Sequence, residues 1–201
     1  MAAHPLRYVA LGDSYTIGTS VSEAERWPNL LVERVGPRRL ELVANLGVNG
    51  YASSDVIEDE LPRLAGLRPE LASLLIGVND VVRGVPAATF AANAAAILDA
   101  LLADLPPNRI ITVATPDYTV TPSGASFGDP VRQRAGIERN NAALRSLAEA
   151  RGIAFVDTFD VSRGAATDPS LVARDGLHPS GAQYARWVDL IAPVVSGLLD
   201  A

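Results

Sequence analysis

Five short apolar runs, at residues 6–11, 40–44, 71–76, 109–114 and 153–157, punctuate this chain of 201 residues, with longer segments of helical spacing between them. This alternation constrains the fold strongly, because strands joined by helical crossovers build a parallel sheet with helices on its faces. Leu71-Ala72-Ser73-Leu74-Leu75-Ile76 and Arg109-Ile110-Ile111-Thr112-Val113-Ala114 lack the strict apolar/polar alternation of a half-solvated strand. A sheet covered on both faces is therefore expected. The reading is a three-layer α/β fold with a central parallel sheet of about five strands, in one domain spanning 1–201.

The helical segments have recognisable ends. From Ala87 to Ala103 the residues Phe90, Ala94, Ile97, Leu98, Leu101, Leu102 and Leu105 recur at intervals of mostly three and four. Pro86 suits the first turn and Pro106-Pro107 stops the helix. A second helix is predicted over Val131–Ala150, with Ile137, Leu144, Leu147 and Ala148 inward, Asn141 as a satisfied structural amide and Gly152 as the end signal. A third is expected over Gly181–Leu199, kinked at Pro193 by the loss of a backbone donor. Trp27 and Trp187 fall in helical segments and read as packing residues. Thr115–Pro130 is the one long irregular stretch, rich in turn formers yet carrying Tyr118 and Phe127. A connection of that length is uncommon unless it has a function, so it is expected to wall or cover a binding site.

Composition narrows the chemistry. The net charge of −6 argues against nucleic-acid binding, which needs a basic patch. There is no cysteine, which removes disulfides, thiol nucleophiles and Cys-based metal sites. The two histidines, His4 and His178, are too few for a histidine-rich zinc centre, so neither metal nor cofactor is expected. His4 precedes the first strand and reads as a tail residue. Because that strand begins by about Leu6, no secretory leader is expected and the reading is a cytoplasmic protein. No unbroken apolar run reaches membrane-spanning length, so no transmembrane segment is expected either.

Four segments that follow or punctuate the apolar runs carry the reactive groups. Leu11-Gly12-Asp13-Ser14-Tyr15 closes the first run, so the Ser14 hydroxyl can project from the carboxyl edge of the sheet. Asn45-Leu46-Gly47-Val48-Asn49-Gly50 and Gly77-Val78-Asn79-Asp80 each follow another run. Asp175-Gly176-Leu177-His178-Pro179 lies near the far end. A serine at a strand end, with a late histidine and an aspartate three residues before it, supplies a nucleophile, a base and a group to orient the base. No Lys-Ser/Thr pair follows the Gly12–Gly18 stretch, which excludes a P-loop, and no G-x-S-x-G elbow is present.

In this order, the four segments resemble the sequence blocks of the SGNH (GDSL-type) hydrolases across nearly the whole chain; the fourth letter of the first block, usually Leu, is here Tyr15. The resemblance implies a flavodoxin-like sheet and a Ser14, His178, Asp175 triad. It implies oxyanion donors at the Ser14 N–H, a second-block glycine N–H and the Asn79 side chain. Alignment on the second block puts that glycine at Gly50, with Gly47 as the alternative. Asp13 and Asp80, beside the reactive positions, are read as holding loops in place.

The expected activity is hydrolysis of a small-molecule acyl ester or thioester. Tyr15, Ile17, Val78, Val81, Val82, Tyr118 and Phe127 are candidates to line an apolar pocket, favouring short to medium acyl chains. Three alternatives share the fold: acyl transfer to a sugar hydroxyl or another alcohol, carbohydrate O-deacetylation, and a catalytically inactive binding module.

Overall fold

The computed structural model describes residues 4–200. Its centre is a parallel sheet of β1 (Leu6–Gly12), β2 (Leu40–Asn45), β3 (Leu71–Leu75), β4 (Ile110–Val113) and β5 (Ala154–Val156), in the spatial order β2-β1-β3-β4-β5. The flavodoxin-like expectation is met. The chain builds outward from β1 to one edge and then returns to build the other, which opens a crevice beyond the carboxyl ends of β1 and β3. Ser14 follows the first of these ends and Asn79 the second.

The side chains of β1 show why its sequence does not alternate. Tyr8 and Ala10 enter one buried cluster with Trp27, Leu31, Trp187 and Ile191. Val9 and Leu11 enter another with Phe90, Ile97, Leu98 and Leu144. Successive residues point to opposite faces of a strand, so both sets must be apolar when both faces are covered. Trp27–Val35 and Gly181–Asp200 cover the first face, and Ala87–Asp104 lies on the second. Pro130–Glu149 contributes Ile137 to one cluster and Leu144 to the other. Trp27 and Trp187 are fully buried, as expected of packing residues.

Helix ends follow local chemistry. Asp129 accepts the Arg132 N–H at 2.8 Å with Pro130 in the first turn, so this helix begins one residue before the position its apolar spacing suggests. Asn141 is satisfied as expected: its Oδ1 accepts the Thr115 N–H at 2.8 Å and its Nδ2 donates to the Thr115 carbonyl at 2.9 Å. The final helix carries Pro193 in its interior.

Among the described residues, one helix, Ala87–Asp104, is long and apolar enough to cross a membrane by length and composition. Here Phe90, Ala94, Ile97, Leu98 and Leu101 pack into the core, while Asp99 pairs with Arg151 at 2.7 Å. The criterion of an unbroken apolar run does not register it because Thr89, Asn93 and Asp99 interrupt it.

Residues 53–67 were not anticipated as helical. They form one-turn pieces, Ser53–Asp55, Leu61–Arg63 and Leu64–Leu67, around a π-type turn at Val56–Glu60. Thr115–Pro130 likewise has internal order, with short turns at Tyr118–Val120 and Gly124–Phe127. Buried Asp117 anchors its start, accepting from the Thr119 N–H at 3.1 Å and from Arg134 Nε at 2.8 Å.

Candidate active site

Ser14 opens a single helical turn, Ser14–Ile17, directly beyond β1. Asp13 caps that turn, its Oδ1 accepting the Tyr15 N–H at 2.9 Å. As the first residue of the turn, Ser14 has a backbone N–H with no intrahelical acceptor. Gly12 permits the approach to β3: a Cβ there would lie 2.1 Å from the Leu75 carbonyl oxygen, and its φ of +148° is itself unfavourable for an L side chain. Its N–H donates to Glu60 Oε2 at 3.0 Å.

The second and third blocks are tied to each other. Asn79 Nδ2 donates to the Tyr51 carbonyl at 2.8 Å, which fixes the amide and leaves its second N–H for another acceptor. Asp80 accepts the Ser53 N–H at 2.9 Å and the Ser53 hydroxyl at 2.5 Å, in the loop-holding role expected of it. Arg83 donates to the Gly50 carbonyl at 2.6 Å and to Asp55 Oδ2 at 3.0 Å. The two candidate glycines now separate. Gly50 lines the central cavity, whereas the Gly47 N–H donates to Asn45 Oδ1 at 3.1 Å and Gly47 is packed against Asp13 and Ile17.

The fourth block folds on its own aspartate. Asp175 Oδ1 accepts the N–H groups of Leu177 and His178, both at 2.9 Å, closing an Asx-type turn. Oδ2 lies 2.6 Å from His178 Nδ1 and accepts the Ser20 hydroxyl at 2.6 Å. Burial acts against the charge of this carboxyl, but the Ser20 hydroxyl, the Leu177 N–H, the His178 ring and the His178 N–H together hold it well below the usual carboxylate range. With a proton on Nδ1 facing the carboxylate, Nε2 of His178 is left as an acceptor.

Ser14, Gly50, Asn79 and His178 line one cavity of about 210 Å³. Tyr15, Val78, Val82, Tyr118 and Phe127 contribute apolar surface to it, as anticipated. Ile17 and Val81 do not belong to the lining. Ile17 is half-buried beside Gly47, and Val81 packs against Gly136 on the long helix. Asn49 and Leu177, which the sequence reading did not single out, complete the wall. Their positions beside Gly50 and His178 were the available signal.

Behind the serine lie two buried acids. Burial pushes the Asp13 carboxyl up to about 8 against the Tyr15 hydrogen bond, and nearby Asp80 adds to the effect. Burial likewise pushes Glu60 up to about 8, opposed by the Gly12 N–H and reinforced by Asp13. His4, by contrast, is an exposed terminal side chain 3.7 Å from Glu70 Oε2.

This architecture recurs in solved structures. The chain superposes on LAE5, an alpha/beta hydrolase from the metagenome of Lake Arreo, Spain, with a TM-score of 0.72 and 21% identity, covering 99% of this chain and 98% of that one. For TesA the TM-score is 0.71 at 20% identity, with 96% and 99% coverage. For Axe2, an acetylxylan esterase from Geobacillus stearothermophilus, it is 0.72 at 18% identity, with 100% and 97% coverage. At these identities the likeness is one of fold. No curated protein matches the sequence. The GDSL-like Lipase/Acylhydrolase family pattern matches residues 10–186, most of the chain and all four blocks. The chain belongs to this family of ester hydrolases.

Proposed function

We propose that the chain hydrolyses short- to medium-chain acyl esters or thioesters by a serine mechanism. The observation that carries this reading is the convergence of Ser14, Gly50, Asn79 and His178 on one cavity, with Asp175 2.6 Å behind His178. Ser14 Oγ attacks the acyl carbonyl carbon as His178 Nε2 takes its proton. The carbonyl oxygen becomes an oxyanion, stabilised by the Ser14 N–H, the Gly50 N–H and the free amide N–H of Asn79. The imidazolium, held by Asp175, then protonates the departing alkoxide or thiolate. Water enters, gives its proton to His178 and attacks the acyl-serine; collapse of the second tetrahedral species returns that proton to Ser14 and frees the acid.

Cavity size favours small acyl groups, since about 210 Å³ is below the range for drug-sized ligands. It equally suits a second reading, removal of acetyl groups from a carbohydrate, with the sugar held outside the cavity. Likeness to an acetylxylan esterase is consistent with that reading.

Covalent labelling with a fluorophosphonate probe tests the mechanism. Wild-type protein should be modified at Ser14, and Ser14→Ala should not. Absence of label in the folded wild type would overturn the reading. Turnover of aryl esters of increasing acyl length, alongside acetylated xylooligosaccharides, separates the substrate classes.

A further inference from the structure

Ser20 holds a backbone conformation that its side chain disfavours. Its φ is +68°, and among the described residues only Arg68 is another non-glycine with positive φ. Left-handed backbone at a residue with a Cβ is strained and persists where the surroundings enforce it. Here the strain has a visible result. The chain leaves the Ser14 turn through Gly18, also left-handed, and doubles back on itself. Thr19 then donates its hydroxyl to Asn49, the neighbour of Gly50, while Ser20 donates its own to Asp175 Oδ2 at 2.6 Å.

The oxygen that Ser20 engages is the one facing His178 Nδ1. Two donors therefore compete for one acceptor, and each weakens the pull that the oxygen exerts on the other. Resting on the triad reading above, we propose that Ser20 is a positioning residue that fixes the rotation of the Asp175 carboxylate and moderates its hold on the His178 imidazolium. It links the nucleophile's loop to the base's loop, which have no covalent connection nearer than some 150 residues.

The other ionisable groups around this pair come from separate elements. Tyr15 lies beside His178, with ring centres 5.5 Å apart, and Asp13, Tyr118, Tyr184 and Arg26 are the other titratable or charged groups that act on Tyr15 or its neighbour Tyr184. The Ser20 hydroxyl bonds Asp175 and none of these groups. Among the contributions that keep the Asp175 carboxyl ionised, the Ser20 hydrogen bond is the largest.

Loss of the hydroxyl should strengthen the carboxylate's hold on the protonated ring. The titration midpoint of His178, followed by NMR of its ring nitrogens, should therefore rise in Ser20→Gly and Ser20→Ala. The chain has two histidines, and exposed His4 provides an internal reference in every sample. The acid limb of the kcat/KM profile should move by the same amount. Ser20→Gly also relieves the left-handed strain, so it keeps the test valid if Ser20→Ala folds poorly. A stabilised Ser20→Gly protein with an unmoved His178 midpoint would make Ser20 merely structural and overturn the proposal. Fluorophosphonate labelling of the wild type separates the two levels. Label at Ser14 with an unmoved midpoint defeats the Ser20 role alone, whereas no label defeats the hydrolase reading and this proposal with it.

Discussion

Glu60 accepts the backbone N–H of Gly12 at 3.0 Å, so a buried acid on the π-type turn helps shape the strand end two residues before Ser14. Its other carboxyl oxygen is buried without a partner, as is Oδ2 of Asp13. Such groups avoid charge, so both stay protonated to a higher pH than an exposed carboxyl does.

A pH dependence of stability follows. Glu60 ionises near 4.5 when exposed and near about 8 in the fold. Between these values the folded chain retains a proton that the unfolded chain has released, so stability is full below the window and declines as pH rises through it. Asp13 acts in the same direction. Glu60→Gln keeps an acceptor for Gly12 and should remove one proton's share of the slope, up to about 1.4 kcal/mol per pH unit. Urea unfolding of both proteins from about pH 5 to 9 measures it. Parallel stability curves would show that Glu60 does not carry the effect.

Ser14→Ala and His178→Ala should each abolish nearly all turnover in a folded protein, and their combination should cost little more, because the proposed mechanism makes them one proton-transfer unit. Asp175→Asn should lower kcat by roughly 10² to 10⁴, since an amide facing Nδ1 disfavours the productive tautomer. Steady-state rates on one aryl ester, with circular dichroism to verify folding, suffice. Additive losses in the double variant would dissolve the unit.

The strands and long helices were legible because burial on both faces forces continuous apolar runs and helical crossovers leave a periodic stripe. The first three blocks were legible because they follow strand ends, and the fourth because Asp175 stands three residues before His178. What escaped depends on three-dimensional partners. Val81 was assigned to the pocket along with Val78 and Val82, but on a short helix residues 78 and 82 share a face and 81 is turned to Gly136. The preference for Gly50 over Gly47 in the proposed site rests on an Asn45 side chain that takes the Gly47 N–H. Ser20 and Arg83 left no local signal, because the atoms they hold lie 155 and 33 residues away.

Asn79→Ala should reduce kcat by about 10² to 10³ with a smaller change in KM, because the proposed mechanism assigns its second N–H to charge that develops in the transition state. The same variant loses the tie to Tyr51, so a thermal melt should accompany the kinetics. Raised KM with unchanged kcat would reassign Asn79 to ground-state binding.

The two glycines should respond in opposite ways. A Cβ on Gly47 would lie 2.7 Å from the Ile17 nitrogen and 2.8 Å from the Asp13 carbonyl oxygen, so rigid backbone must move. Gly47→Ala should destabilise by about 1 to 3 kcal/mol. A Cβ on Gly50 meets nothing within 4 Å, though its φ of +84° resists alanine. Gly50→Ala should fold yet slow kcat, as the peptide carrying the proposed oxyanion donor tilts. Unfolding midpoints and kcat for both variants decide this, and the reverse pattern would return the role to Gly47.

Tyr118 and Phe127 meet edge to face, with ring centres 5.9 Å apart, and both line the cavity. Two rings from the 115–130 segment thus form one wall of the space beside Ser14, supported from beneath by Asp117 and Arg134. Rigid aromatic surface can pack against an acyl group at low entropic cost, so this wall should set acyl length. Tyr118 is only 3% exposed and part of the core, while Phe127 is 40% exposed, so Phe127→Ala is the variant that should preserve the fold. One methylene of substrate packed in an apolar pocket is worth about 1 to 3 kcal/mol, so the ratio of kcat/KM for short and longer acyl esters should shift roughly tenfold or more. Labelling of Ser14 should persist, since the wall takes no part in proton transfer. An unchanged chain-length preference in folded Phe127→Ala, and equally in a folded double alanine variant with Tyr118, would mean that the acyl group binds elsewhere.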